Sequence, residues 1–315
     1  MRSDAVLGLW QDRAPTEAIT TAREAERLGY RRLWIGEMAT YDAFALATAV
    51  SGATSHIEPV VGPLAVTIRT PATVAMGVAS ITSLTGRLAH VALGTSSPVV
   101  NHWHGRSRTG ATRQLGIASQ SVRTLLAGDR DPSTGFRLRL PPVPSEILLA
   151  AFGPAAVRTA AAHADGMVLN MVTPSATARL RKAVDAAGGT RMPMSAWLVT
   201  AVEPGPAEIA QIRSAVVGYL GAPGYGEMFA EAGYTELVDM ARSGVHPRDL
   251  IGAIPDDFEQ CVGLVGSKSD IASLLADYDK AGLDTVCVVP VTATGDHGRR
   301  ALGVVAELTS ANEGG

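Results

Sequence analysis

The sequence has few of the residues that mark several large classes of protein. It holds two cysteines and three lysines in 315 residues, and aromatic side chains make up 5% of it. Two distant thiols, Cys261 and Cys287, favour reduced and buried cysteines over a disulfide or a metal pair. A net charge of −3 provides no positive excess that would attract nucleic acid or an anionic membrane surface. We therefore expect neither as a partner.

Long apolar runs are also missing. No stretch approaches the roughly 20 apolar residues that span a bilayer. The first residues lack the apolar segment of about 7–15 residues that a signal peptide carries, so we expect a cytoplasmic protein. What the chain does have is 46% hydrophobic and 18% charged residues, a composition typical of a well-packed globular fold.

Strand-like and helix-like segments alternate along nearly the whole chain. Apolar runs typical of buried parallel strands occur at residues 5–10, 32–36, 59–66, 88–94, 146–151, 166–170, 194–201 and 285–289. A long, mainly helical stretch, about 206–265, follows the seventh run. Eight such units predict an α/β fold of the (β/α)8 TIM-barrel type, one domain over residues 1–315 with a helical insertion after strand 7. A doubly wound sheet is disfavoured because no Gly-x-Gly-x-x-Gly loop follows the first strand.

Polar residues gather where the second and third predicted strands end, and a barrel binds its ligands at such ends. Glu37 follows the second strand and is a candidate for acid or base chemistry, with Tyr41 nearby. Asp42 could serve the ligand or cap the next helix. In the third strand, Pro63 removes a hydrogen-bond donor from the ladder, which predicts a bulge or a strained peptide there, or else a harmless proline at the first residue of the strand. Arg69 could receive an anion or simply precede a helix.

The segment after the fourth strand combines small polar side chains with an aromatic residue. The small side chains leave room for a ligand and offer it hydrogen bonds; they are Thr95, Ser96, Ser97 and Asn101. His102 and His104 flank Trp103 and form a weak metal pair, because no further ligands cluster nearby. A substrate contact and a solvated loop residue are equally supported for these histidines.

The fifth strand ends in a glycine followed by proline, at the start of a predicted helix. A helix start of this kind presents backbone N–H groups and the positive end of the helix dipole, which suits a phosphate. The residues at this end are Ala151, Phe152, Gly153 and Pro154. No Ser-His-Asp, Walker or Cys-His arrangement is evident, which gives hydrolase and kinase functions little support.

In their order and spacing these segments resemble the bacterial luciferase-like superfamily, and in particular its oxidoreductases that depend on the deazaflavin coenzyme F420. The resemblance is carried by Leu33-Trp-Ile-Gly-Glu, Thr40-Tyr-Asp-Ala-Phe, Val61-Gly-Pro-Leu-Ala-Val-Thr-Ile-Arg-Thr-Pro, Ser83-Leu-Thr-Gly-Arg-Leu, Ala92-Leu-Gly-Thr-Ser-Ser-Pro, Trp103-His-Gly, Ala151-Phe-Gly-Pro-Ala-Ala and Ala164-Asp-Gly-Met. It runs from Leu7 to about Asn170 and resumes over residues 265–289.

The resemblance implies a TIM barrel, usually a homodimer, with F420 or alternatively FMN at the carboxyl ends of the strands. Such proteins often have a non-prolyl cis peptide in the third strand, which maps to the neighbourhood of Leu64 and Ala65, behind the ring of the cofactor. The cofactor's phosphate would lie near Phe152 and Gly153. The expected cofactor-binding residues are Glu37, Pro63, Leu64, Ala65, Thr95, Ser96, Ser97, Asn101, Ala151, Phe152 and Gly153.

Two departures from the family bear on the reaction. Its sugar-phosphate and alcohol dehydrogenases carry His directly after the strand-two acid and Glu in the strand-four loop, where this chain has Met38 and Ser97. The resemblance therefore favours reduction of a C=C or C=N bond in a small organic substrate, with no metal and with Glu37, Tyr41 or His102 as proton donor. An FMN-dependent monooxygenase and a barrel that binds cofactor without turnover are the alternatives.

Overall fold

The computed structural model describes residues 1–8, 14, 16–188 and 191–310 of the chain. Its strands all pair in parallel. They are β1 (Arg2–Leu7), β2 (Arg32–Ile35), β3 (Glu58–Ala65), β4 (His90–Gly94), β5 (Ile147–Ala150), β6 (Gly166–Asn170), β7 (Met194–Val202), β8 (Gly263–Gly266) and β9 (Thr285–Pro290).

Helices separate the strands and cover the outside of the sheet. They are α1 (Glu17–Arg27), α2 (Ala43–Ala53), α3 (Pro71–Thr85), α4 (Pro98–Trp103), α5 (Ala111–Leu126), α6 (Pro154–His163), α7 (Pro174–Ala187), α8 (Pro206–Val216), α9 (Tyr225–Glu231), α10 (Thr235–Arg242), α11 (Pro247–Ala253), α12 (Phe258–Val262), α13 (Lys268–Lys280) and α14 (Arg299–Ser310), with a 3₁₀ turn at Val217–Tyr219. In the part of the chain described, none of these helices has the length and apolar character needed to span a membrane.

Eight of the strands close a barrel, as the alternation of segments predicts. Strands β1 to β7 pair in chain order, and β9 closes the ring by pairing with both β7 and β1. The remaining strand, β8, lies outside the closed ring. It pairs with residues 199–202 of β7, beyond the residues 194–197 that pair with β6. The predicted (β/α)8 TIM barrel is confirmed, and the extra strand and helices fit an insertion.

The structure differs from the sequence-based expectation in three places. The first strand begins at Arg2 rather than at residue 5, and Leu9 and Trp10 of the predicted strand lie outside the described residues. The stretch 206–265, expected to be mainly helical, ends in β8. This strand is four residues long and begins and ends in glycine, so its sequence carries little strand signal. The segment after β4 contains the short helix α4.

Two apolar regions hold the barrel together. The larger lies between the sheet and the helices, and the smaller fills the inside of the ring with residues such as Val6, Val60 and Ala92. Inside the ring, the indoles of Trp34 and Trp197 meet edge to face with 5.9 Å between their centroids. The Trp34 Nε1–H donates to Asp4 at 3.0 Å, which satisfies a buried donor. The interior below the mouth is therefore packed rather than open.

A charged cluster lies at the amino ends of the strands. Arg32 of β2 forms two hydrogen bonds with the Glu146 carboxylate, at 2.8 and 2.7 Å. The Glu146 N–H donates to Nδ1 of the buried His90 at 3.0 Å, and the His90 Nε2 lies 3.5 Å from the Glu58 carboxylate. Burial, together with the nearby Arg32 charge, lowers the pKa of His90. This end of the barrel therefore stabilises the fold through paired charges and a neutral imidazole.

Candidate active site

At the end of β2, a glutamate and an aspartate share one arginine. The Arg69 Nε–H donates to Glu37 Oε2 at 2.8 Å, and a second nitrogen of Arg69 donates to both Glu37 and Asp42. The same guanidinium lies over the ring of Phe44, 5.1 Å from its centroid. Glu37 also accepts from the N–H of Ala43 at 3.1 Å. Glu37 is thus oriented by contacts from two further segments of the chain.

The helix cap expected for Asp42 is present. Its carboxylate accepts from the N–H groups of Phe44 and Ala45, each at 3.0 Å, at the start of α2. Partial burial opposes ionisation of Asp42, but the hydrogen bonds from Arg69 and from these amides lower its pKa. Tyr41 precedes this cap and is 39% exposed, so it lies on the open side of the turn.

The expected bulge in β3 is present at its carboxyl end. Val61 pairs with Val91 and Leu64 pairs with Leu93, so three steps along β3 face two along β4. Gly62 has φ of +122°, and a Cβ there would lie 2.2 Å from the carbonyl oxygen of Ala92. Only glycine fits such a close approach of two backbones.

The cis peptide lies two residues earlier than the resemblance implies. The bond between Gly62 and Pro63 is cis, whereas the family pattern places a non-prolyl cis bond near Leu64 and Ala65. The physical reason is that proline forms a tertiary amide, for which the cis form costs far less than for other residues. Leu64 and Ala65 are buried and continue the strand beyond the bulge.

The segment after β4 is held by a network around one buried amide. The Asn101 Nδ2 donates to the carbonyl oxygens of Thr95 and Ser97, at 3.2 and 2.9 Å. The Asn101 Oδ1 accepts from the Thr67 hydroxyl at 2.5 Å, and Ser97 caps α4 by accepting from Val100 N–H. Sequence reasoning placed Asn101 among the cofactor contacts. The structure shows that it braces the loop that carries the hydroxyl groups.

The hydroxyl groups of this loop lie near the mouth of the barrel. Ser96 has φ of +55°, a left-handed conformation that only a few per cent of non-glycine residues adopt. Arg108 donates to the Ser96 carbonyl at 2.7 Å and to the Thr95 hydroxyl at 2.8 Å, and so supports this turn. His102 belongs to α4 and is exposed, as is Trp103 beside it.

At the end of β5, the predicted phosphate position has an open helix start. Gly153 is exposed and forms the N-cap of α6 without a side-chain cap, and Pro154 is the first helical residue. Ala151 is buried behind it. The first turn of such a helix presents N–H groups that have no partner within the helix. This arrangement fits an anionic group of a ligand.

The insertion brings aromatic side chains to the ends of β5 and β6, which sequence reasoning missed. The ring of Tyr225 stacks on Phe152 with 5.1 Å between centroids, and the ring of Tyr219 meets Tyr225 at 4.9 Å. Burial raises the pKa of both tyrosines, and the side chain of Asn170, the last residue of β6, opposes this shift. The sequence holds one indication of this aromatic cluster: five of the chain's fifteen aromatic residues lie between positions 219 and 258.

The residues present fit a flat, phosphate-bearing cofactor. The β3 bulge supplies backbone at the mouth, the loop after β4 supplies hydroxyl groups, and the start of α6 supplies N–H groups. Small side chains lie between these elements: a Cβ at Gly94 would meet Pro63 and Ala150 at 3.4 and 3.3 Å. The described residues contain no group of three or more His, Cys, Asp and Glu side chains that could hold a metal ion.

Solved structures with this fold include proteins that use either of two cofactors. The coenzyme F420-dependent tetrahydromethanopterin reductase of Methanopyrus kandleri matches with a TM-score of 0.77 at 16% identity, covering 99% of both chains. An F420-dependent secondary alcohol dehydrogenase in complex with an F420–acetone adduct matches at 0.75 and 16%, again covering 99% of both. The oxygenating constituent of 3,6-diketocamphane monooxygenase from Pseudomonas putida, in complex with FMN, matches at 0.69 and 15%, covering 99% of this chain and 98% of the other.

At these identities the structural matches show a shared fold. No curated protein matches the sequence. A family model described as luciferase-like monooxygenase matches residues 4–285, which is most of the chain and includes every residue of the site described above. The match spans most of the barrel and the whole of the site, so this chain is a member of the luciferase-like monooxygenase family.

Proposed function

We propose that this protein is an oxidoreductase that transfers a hydride between reduced coenzyme F420 and a small organic substrate, most readily by reducing a C=C or C=N bond. The observation that carries the proposal is the β3 bulge at the barrel mouth, where its backbone forms a wall for a flat ring. Two of the matching structures are F420-dependent enzymes, which supports the choice of cofactor. When bound, the deazaflavin would supply the hydride chemistry, and the protein would orient the reacting partners.

The protein's own residues would divide the work by strand. Pro63, Leu64 and Ala65 would lie behind the ring, and the hydroxyl groups of Thr95, Ser96 and Ser97 would face its polar edge. Ala151, Phe152 and Gly153 would bind the phosphate at the start of α6. Asn101 would hold the β4 loop in place through its bonds to Thr95 and Ser97. The packed interior below the mouth would exclude water from beneath the site.

The proton for the reduction would come from one of three residues. The Glu37 carboxylate accepts hydrogen bonds from Arg69 and from Ala43, which favours a role as an acceptor that orients the cofactor or substrate. Tyr41 and His102 are exposed and are not bound in this network, so they are the better candidates for proton donor. Tyr41→Phe and His102→Gln are tested one at a time, and the pH profile of the reduction should change in the variant that lacks the proton donor. A profile unchanged in both variants would point to Glu37.

Titration of the purified protein with each cofactor tests the proposal. We expect fluorescence quenching with F420 and much weaker quenching with FMN, followed by oxidation of reduced F420 in the presence of enones or imines. The control is Gly62→Ala, in which a clash with Ala92 is expected to disturb the wall of the site. Tight binding of FMN without binding of F420 would overturn the choice of cofactor.

A second candidate function is that of an FMN-dependent monooxygenase. The family name and the FMN complex of one matching structure favour it. Oxygen consumption by the FMN-loaded protein, supplied with reduced flavin by a separate reductase, would support this function. Tight cofactor binding without turnover across a broad panel of enones, imines and pterins would instead indicate a binding protein.

A homodimer is the proposed assembly. Helices α2 and α3 together contain no charged side chain, although both lie on the outside of the barrel. Helices on a solvent-facing layer normally carry charged residues on one side. On α3, Leu84 and Met76 are 76% and 48% exposed. This surface is suited to contact with a second copy of the chain.

A further inference from the structure

Charge is distributed unevenly along the chain. Residues 59–128 contain six arginines and not one aspartate or glutamate, although the whole chain has a net charge of −3. The stretch runs from β3 to the end of α5. The β3–β4 side of the molecule therefore carries positive charge that no acidic residue of the same stretch neutralises.

Three of the six arginines have partners elsewhere in the fold. Arg69 pairs with Glu37 and Asp42, Arg123 pairs with Asp165, and Arg87 donates to the carbonyl of Thr54. The other three lie in or next to the connection between α4 and α5. We call residues 106–113 the arginine segment; its arginines are Arg106, Arg108 and Arg113.

The arginine segment is fixed against the end of β4. The Arg106 N–H donates to the Asn101 carbonyl at 2.8 Å, and Arg108 donates from Nε to Ser96 and from Nη2 to Thr95. These bonds use two of the five N–H donors of Arg108. Among the described carboxylates, none forms an ion pair with the three arginines. The remaining donors face solvent at the mouth of the barrel.

The position of Arg113 adds to the unbalanced charge. It lies in the first turn of α5, where the helix dipole is positive and where an acidic residue would be favourable. The first turn of α5 contains no acid, and its N-cap is Gly110, without a side-chain cap. Three arginines within eight residues raise the local positive potential, and a bound anion would lower it.

An exposed apolar face lies on α4, shortly before the arginine segment in the chain. Val99 and Trp103 are four residues apart on α4, so they share one side of the helix, and they are 57% and 56% exposed. Trp103 and Arg106 are three residues apart in the chain, so this region combines a flat apolar surface with positive charge. A ligand with an apolar body and an anionic end would match both.

We infer that Arg106 and Arg108 form an anion-binding subsite. This subsite would bind a carboxylate or phosphate group of a ligand whose apolar part lies on Trp103. The subsite is separate from the phosphate position expected at Gly153. It rests on the proposed function for the identity of the ligand, but the anion chemistry follows from the arginines alone. The anionic group has two possible sources: the carboxylate-bearing side chain that F420 carries beyond its phosphate and FMN lacks, or an anionic substrate.

The test compares four proteins: the wild type, Arg106→Gln, the double variant Arg106→Gln/Arg108→Gln, and Arg139→Gln as a matched control. Arg106 makes its observed bond through the backbone, so its substitution removes charge without removing that bond. Arg139 is an exposed arginine between α5 and β5, at the opposite end of the barrel. Dissociation constants for F420 and FMN are measured at low and moderate salt, followed by titration of the cofactor-loaded proteins with inorganic phosphate.

If the cofactor supplies the anion, Arg106→Gln should weaken F420 binding about fivefold and leave FMN binding unchanged, and Arg139→Gln should change neither. The double variant should weaken F420 binding by more than about tenfold, and by more than it weakens FMN binding, because loss of Arg108 also removes its bonds to Thr95 and Ser96. The salt dependence of F420 binding should become shallower. If the substrate supplies the anion, both cofactors bind Arg106→Gln as they bind the wild type, and inorganic phosphate binds the wild type but not the double variant.

Equal binding of F420, FMN and phosphate by all four proteins would overturn the subsite. Failure of the proposed function has a different signature: the wild type itself would not bind F420. The phosphate titration of the cofactor-free wild type and double variant would then still decide whether the arginines bind an anion.

Discussion

At the scale of single residues, His90 makes the fold sensitive to acid. Its imidazole is buried at the amino ends of the strands, where burial and Arg32 lower its pKa below the ordinary value. The unfolded chain takes up a proton on this residue near pH 6.5, whereas the folded protein resists it. His90 therefore leaves the stability unchanged above about pH 6.5 and lowers it as the pH falls from there toward the lowered pKa of the folded protein.

Replacing His90 by Gln tests this sign. Glutamine keeps an acceptor for the Glu146 N–H but cannot take up a proton. Between pH 6.5 and 5.5 we expect the free energy of unfolding of the wild type to fall by more than that of His90→Gln, with an upper bound of about 1 kcal/mol on the difference. Urea denaturation at each pH measures both. Parallel pH profiles for the two proteins would show that folding leaves the pKa of the imidazole unchanged.

Arg69 shows how far single residues could be assigned from the sequence. Its position before Pro71 allowed either an anion contact or a simple helix start. In the structure it binds Glu37 and Asp42, which lie 32 and 27 residues away along the chain. An ion pair between residues so far apart in the chain depends on how β2 and β3 pair, and a single sequence does not specify that pairing. Glu37, in contrast, is a candidate from the sequence alone, because an acid directly after a buried strand is conspicuous.

At the scale of elements, Gly62 determines the shape of β3. Its positive φ and the 2.2 Å approach of a Cβ to the Ala92 oxygen leave no space for a side chain. We expect Gly62→Ala to lower the free energy of unfolding by about 3 kcal/mol. The matched control is Gly52→Ala in α2, where a Cβ meets nothing within 4 Å and the change should stabilise the helix by about 0.5–1 kcal/mol.

Chemical denaturation of both variants measures the difference, and cofactor titration of Gly62→Ala reports whether the wall of the site survives. An equal stability of the two variants would mean that the bulge tolerates a side chain, contrary to the observed close approach of β3 and β4.

The strands were predicted more completely than the insertion. Long apolar runs such as the one in β7 are recognisable as strands from the sequence alone, and Pro63 indicates an irregularity in β3. The strand β8 was missed because four residues bounded by glycines carry no periodicity. The contact of Tyr225 with Phe152 was missed for another reason: it depends on how the insertion folds back, which local sequence does not determine.

At the scale of the whole molecule, the uncharged helices α2 and α3 bear on assembly. We expect sedimentation velocity to show a dimer for the wild type and a monomer for the double variant Met76→Asp/Leu84→Asp, because a charge buried in an interface is costly. Ile117→Asp on α5, at a similarly exposed apolar position, should leave the dimer intact. A wild type that stays monomeric at micromolar concentration would contradict the homodimer.

The indole pair inside the barrel has a consequence for how this scaffold diversifies. Trp34 and Trp197 fill the inside of the described barrel, so a ligand binds at the carboxyl ends of the strands and not deeper. A deeper pocket would require replacing side chains that stabilise the barrel. New substrate preferences are therefore easiest to reach by rebuilding the rim. The loops after β4 and the insertion above β5 and β6 can change while the floor beneath them stays as it is.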